Sequence, residues 1–337
     1  MSTPATGLDP GVRLHVVTGK GGTGKTTVAA ALALALASRG RKVLLVEVEG
    51  RGDIATAFDV SPLGEAEELV LRVSGGGEVW GLSVDAKAAL IEYLRLFYRL
   101  GAAGGVLERL GAIDFATTIA PGVRDVLLIG KVYEAVGRTS GERYVYDDVV
   151  LDAPPTGRVG RFLDVNREVA DLAKVGPIRH QADSITALLR SPATVIHLVT
   201  LLEEMPVQET VEAAAELSVG PEGRTTSIGL VVVNQAREPM FDEPAAAALV
   251  DGGVGPAEVA ATLGRLGLPA DPGTVAGLLR QGRDHVDRLD LEDGQLAALE
   301  TIGAPVVVLP HLLDPSGSGS IRELAQELAD QARFPDR

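Results

Sequence analysis

Cysteine is absent from the 337 residues, so no disulfide, thiolate zinc site or iron–sulfur cluster can be built from this chain. Methionine occurs only at Met1, Met205 and Met240, which argues against a broad, adaptable methionine-lined groove. Long apolar runs are missing too. The longest, Val28 to Ala37, is too short to span a bilayer, and no integral membrane segment is expected. The opening Met-Ser-Thr-Pro-Ala-Thr-Gly has no basic start followed by an apolar stretch, so no signal peptide is expected and the cytoplasm is the default compartment. Positive charge is in deficit: 31 Lys and Arg against 46 Asp and Glu leave a net charge of −15, which repels a nucleic-acid backbone or an anionic membrane. His15, His180, His197, His285 and His311 are widely spaced, and each is expected to be a lone core or surface residue rather than a metal ligand.

What is present is globular: 46% of residues are hydrophobic, enough for a sizeable core. Apolar strand-like runs recur at Leu14–Thr18, Val43–Val48, Val79–Val84, Tyr144–Leu151, Thr194–Thr200, Ile228–Val233 and Pro305–Leu309, most of them separated by helix-length segments. That alternation predicts an α/β fold, a mostly parallel sheet covered on both faces, with ligands at the carboxyl ends of the strands. The stretch Gly252 to Gly294 is rich in glycine, proline and acidic residues, and reads as short helices with loops.

Within this frame, Gly19, Gly24, Lys25 and Thr26 satisfy the G-x-x-x-x-G-K-[ST] spacing between a β-branched strand and an alanine-rich helix. Glycines 19, 21, 22 and 24 let successive backbone N–H groups of Gly19, Lys20, Gly21, Gly22, Thr23, Gly24, Lys25, Thr26 and Thr27 turn toward one point, where the helix adds its positive end. That point suits a polyphosphate, with Lys25 reaching the β- and γ-phosphates and the Thr26 hydroxyl on Mg²⁺. Lys20 is one lysine more than the motif requires. The chain has only Lys20, Lys25, Lys42, Lys87, Lys131 and Lys174, and two of them fall in this loop.

Two later segments fit the same chemistry. Glu47-Val48-Glu49-Gly50-Arg51-Gly52-Asp53 follows the second strand and reads either as carboxylates facing the γ-phosphate and metal or as a solvated acidic turn. Asp152-Ala153-Pro154-Pro155-Thr156-Gly157 places an aspartate at the end of a buried strand, where it can hold the metal water, and a glycine that permits close approach to the γ-phosphate.

Lys20 at the second position of the loop, Asp152-Ala-Pro-Pro-Thr-Gly, and Asn234-Gln235 closing a strand together resemble the ArsA-type ATPases, which include the arsenite-pump ATPase and the ATPase that targets tail-anchored proteins. The resemblance implies a single P-loop NTPase domain over 1–337, with a helical subdomain from 86–140 and 157–192 inserted between the switch segments. It implies ATP and Mg²⁺, with catalytic roles for Lys20, Glu49 and Asp152, Lys20 reaching the partner's nucleotide across a dimer interface. Thr26 and Asp152 serve the metal, Gly157 the γ-phosphate, and Asn234 and Pro310 the adenine. The partner implied is an identical chain or a homologous subunit, with a hydrophobic protein client possible.

Departures shape the expectations. The family's first switch usually reads Asp-Pro-Ala-His, whereas Glu49-Gly50-Arg51-Gly52 stands here, so Glu49, with Asp53 in reserve, is the expected water-orienting group and turnover is expected to be slow. A weakly active regulatory paralogue that assembles with a homologue is the alternative. The apolar stripe Leu90, Ile91, Leu94, Phe97 and Tyr98, within Ala88 to Val136, fits either the core or a client surface. Without cysteine, neither thiolate binding of arsenite nor a zinc-held dimer is available. A partitioning or division-site ATPase would need a basic surface, and GTP would call for Asn-Lys-x-Asp where Asn234-Gln235-Ala236-Arg237 stands.

Overall fold

The computed structural model describes residues 9–48, 52–85, 121–156, 177–218, 226–312, 317–332 and 334. In chain order the described elements are β1 (Leu14–Gly19), α1 (Lys25–Ala37), β2 (Lys42–Val48), α2 (Asp53–Phe58), β3 (Glu68–Arg72), β4 (Glu78–Val84), α3 (Pro121–Gly137), β5 (Thr139–Ser140), β6 (Arg143–Tyr144), β7 (Asp148–Asp152), α4 (Pro177–Leu189), β8 (Thr194–Thr200) and α5 (Glu204–Ser218). There follow β9 (Ser227–Ala236), α6 (Glu243–Val250), α7 (Pro256–Arg265), α8 (Pro272–Glu300), β10 (Val306–Pro310) and α9 (Gly317–Gln331).

Eight strands form one sheet in the order β10-β9-β8-β1-β7-β2-β4-β3. All neighbours are parallel except β3, which runs antiparallel to β4 at the edge. Side chains alternate faces along each strand, and both faces are buried. Leu44, Val46, Val149, Leu151, Ile196 and Leu198 turn to the side covered by α3 and α4. Val43, Leu45, Val150 and Val199 turn to the opposite side, against α1, α2 and α9. Helix α1 is buried from Val28 to Ala37, because it lies between the sheet and α9 and so has no solvent face; its alanines let these layers approach closely.

Three details differ from the sequence expectation. Edge strand β3 offers only the short apolar run Leu69-Val70-Leu71 between Glu68 and Arg72, and these three residues stay partly or largely exposed. The stretch expected to hold only short helices contains, after α7, the 29-residue α8. Asp271 caps α8 by accepting the Gly273 and Thr274 N–H groups at 3.0 Å, Pro272 fits its first turn, and Gly282 is buried beside Leu249 of α6. The histidines are not all solitary either. His15 and His197 lie side by side with nearly parallel rings, centroids 5.4 Å apart and Nδ1 of His15 3.1 Å from Nε2 of His197. Strands β1 and β8 are neighbours, so residues far apart in sequence meet at the amino end of the sheet, where His15 Nε2 also lies 3.4 Å from Asp148 Oδ1.

Candidate nucleotide site

At the carboxyl end of β1 the chain leaves the sheet through a loop whose shape depends on two glycines. A Cβ on Gly19 would fall inside the van der Waals envelope of the Val199 carbonyl oxygen on β8. Gly24 has φ +83°, and a Cβ there would overlap the Asn234 side-chain amide. The loop thus leans over β8 toward β9, and its inner carbonyls gather donors: Thr23 Oγ1 donates to the Lys20 carbonyl at 2.9 Å and Lys25 Nζ to the same oxygen at 3.2 Å. Asn234 Nδ2 donates to the Thr23 carbonyl at 2.9 Å. Gly21 and Gly22 stay exposed, whereas Thr27 on the first turn of α1 is half-buried.

Helix α1 begins at Lys25 with no side-chain cap and no acidic residue in its first turn. The N–H groups there are directed at the loop's concavity, an arrangement that favours an anion.

Facing this end of α1, Thr26 Oγ1 donates to Asp152 Oδ2 at 2.6 Å. The other carboxylate oxygen, Oδ1, is shut off from solvent and accepts no hydrogen bond from the described residues. Burial pushes the Asp152 carboxyl up to about 6; the Thr26 hydroxyl and Lys25 oppose the shift, and Glu47 and Asp53 add to it. A buried carboxylate oxygen with no donor beside a hydroxyl and a phosphate-type loop fits a hard divalent cation such as Mg²⁺, which takes one or two protein oxygens and completes its shell from phosphates and water. Among the described residues no three His, Asp or Glu side chains gather into a metal cage.

The second expected switch is anchored from β1: Thr18 Oγ1 donates to the Pro154 carbonyl at 2.7 Å. Lys20 is turned back onto its own chain, with Nζ 2.7 Å from Glu209 Oε1 on α5, a pair about one-third exposed. Pro310 ends β10 beside Ala236 of β9, within the same rim as Asn234. Glu49 and Gly157 lie outside the described residues, as does the Leu90–Tyr98 stripe.

Sequence reading named Glu47 only as part of the acidic segment and passed over Glu209. Glu47, on β2 in register with Asp152 on β7, is 2% exposed and accepts the Asp53 N–H at 3.1 Å, which sets the first turn of α2. Only its position at the last inward place of a buried strand could have singled it out from Glu49. Glu209 carried no signal at all, since its partner is 189 residues away.

The chain matches the family described as anion-transporting ATPase over residues 12–190, from just before β1 to the end of α4. It is 48% identical over 322 residues to ATPase BagA of Mycobacterium tuberculosis, a match that covers 95% of this chain and 94% of that protein. ATPase GET3 of Chaetomium globosum is 29% identical over 206 residues, 60% of this chain and 57% of that one. ATPase ARSA1 of Chlamydomonas reinhardtii is 27% identical over 209 residues, 52% of this chain and 25% of that one.

Proposed function

The chain belongs to the anion-transporting ATPase family, and on that footing we propose that it binds MgATP in the loop Gly19–Thr27 and hydrolyses it as a dimeric, nucleotide-driven switch. The observation that carries the reading is the buried carboxylate of Asp152, one oxygen on the Thr26 hydroxyl and the other without a donor among the described residues, opposite the uncapped start of α1.

In this reading Lys25 and the loop N–H groups hold the β- and γ-phosphates, and Thr26 and Asp152 hold the metal. Mg²⁺ there would neutralise charge on the phosphate oxygens. Glu49 orients the attacking water and Gly157 approaches the γ-phosphate. Asn234 and Pro310 form the base side. Lys20 acts across the interface with a second chain, identical or homologous, and must leave Glu209 to do so. Segments 86–140 and 157–192 form a helical subdomain that passes the nucleotide state to a protein client. The longer Glu49 side chain makes the enzyme slow.

The family's name does not extend to metalloid transport by this chain, because soft thiolate ligands are missing altogether. Titration of nucleotide with and without Mg²⁺, on the unmutated protein and on Asp152→Ala, tests the reading. Mg²⁺ should tighten ATP binding to the unmutated protein and have little effect on the variant; equal Mg²⁺ dependence in both would remove Asp152 from the site.

A further inference from the structure

Consecutive side chains on a β-strand point to opposite faces. At the end of β9 they do not. The pairing of β9 with β10 runs Val231 with Val306, Val232 with Val307 and Val233 with Val308, and then resumes at Ala236 with Pro310. Asn234 and Gln235 therefore stand opposite the single residue Leu309, a bulge of one extra residue on β9. Gln235 has φ +57°, in the left-handed region that a non-glycine side chain enters at a cost. Beyond it the His311 N–H donates to the Ala236 carbonyl at 2.9 Å and closes the bulge.

The bulge brings both amides to one place. A Cβ built on Gly24 would meet the Asn234 amide nitrogen and lie 4.0 Å from Gln235 Nε2. Neighbouring residues thus converge on the junction of the phosphate-type loop with α1. They are not equivalent there. Asn234 is 4% exposed and its Nδ2 is engaged with the Thr23 carbonyl, bracing the loop. Gln235 is exposed, so its amide is the one presented to a ligand at the rim.

A carboxamide offers a donor and an acceptor in one plane. Adenine presents the complement, the 6-amino donor beside the N7 acceptor, whereas guanine and hypoxanthine present O6 and N7, two acceptors. We propose that Gln235, re-aimed by the β9 bulge, is the base-reading residue of this site and selects adenine over 6-oxopurine nucleotides. The inference rests on the nucleotide-binding reading above and deepens it by assigning base selection to a residue other than Asn234.

The test compares dissociation constants for MgATP and MgITP, two nucleotides that differ at the purine 6-position, on the full chain. Gln235→Gly suits the positive φ and keeps the bulge while removing the amide; Gln235→Met keeps the reach and removes both the donor and the acceptor. The unmutated protein should prefer ATP by about tenfold or more, the scale of one bidentate amide–adenine pair. In both variants the preference should fall to within about twofold, through a larger loss of ATP binding than of ITP binding. A preference retained in either variant overturns the proposal, as does an unmutated protein that binds both nucleotides equally. Should Gln235→Gly bind neither, Gln235→Met decides by the same ratio. An unmutated protein that binds neither nucleotide overturns the site reading itself, and this inference with it.

Discussion

At the scale of single residues, the Asp152 carboxyl is held at about 6, mainly by burial. A carboxyl whose folded value lies above its unfolded value favours the folded state most at low pH, below about 3.8, and that contribution is lost as pH rises through about 6. Ligand-free protein at neutral pH therefore carries a destabilising charge at this position. Asp152→Asn should raise its stability at pH 7.5 by about 1–3 kcal/mol, a gain that shrinks as pH is lowered from 6 toward 4. Denaturant midpoints across this range check it, and the same variant should lose the stabilisation that MgATP confers on the unmutated protein. The two loop lysines should separate. Lys25→Ala should abolish MgATP binding, since the polyphosphate loses its main point charge, while Lys20→Ala should spare binding and lower turnover at least about a hundredfold if it supplies an aligned transition-state donor. Equal loss of nucleotide affinity in both would remove the separate role of Lys20.

At the scale of elements, the amino end of the sheet is tied by a buried ionic cluster. Arg41, just before β2, grips Asp148 of β7 through Nε and through Nη2, the latter at 2.7 Å, and His15 of β1 approaches the same carboxylate. Burial alone would raise the Asp148 carboxyl, but the hydrogen bonds and charges of His15 and Arg41 hold it below the usual carboxylate range. Its contribution is present above the unfolded value and is lost as pH falls through the folded one. Arg41→Met should cost about 3–5 kcal/mol by stranding that charge, measured as a fall in the urea midpoint at neutral pH.

What sequence reading could see of these elements follows their physics. The seven expected apolar runs fall on the seven parallel strands, because strands buried on both faces must be apolar throughout. Only Tyr144–Leu151 divides, into the end of β6 and the start of β7. The phosphate-type loop was legible because its geometry demands glycine at fixed places. The His15–His197 contact, the Lys20–Glu209 pair and the Asn234–Gln235 bulge were not, since each depends on strand order or register, which no local pattern encodes. The extent of α8 was obscured by Gly277, Gly282 and Gly294, which the helix carries without a break.

At the scale of the whole molecule, the net charge of −15 makes the phosphate-binding loop a local exception on an acidic protein. Association of two such chains is therefore expected to be salt-sensitive, strengthening as ionic strength screens their repulsion. No described helix is long and apolar enough to cross a membrane. Arsenite and antimonite should leave activity unchanged, because the chain has no cysteine to bind them; a rise in phosphate release on adding either would contradict this. Phosphate release from MgATP as a function of protein concentration, with Lys25→Ala measured alongside, decides whether the chain is a nucleotide-driven dimer. A nucleotide-driven dimer predicts a specific activity that rises with concentration to a plateau and disappears in the variant. Release that is absent at every concentration, or equal in the two proteins, would contradict it.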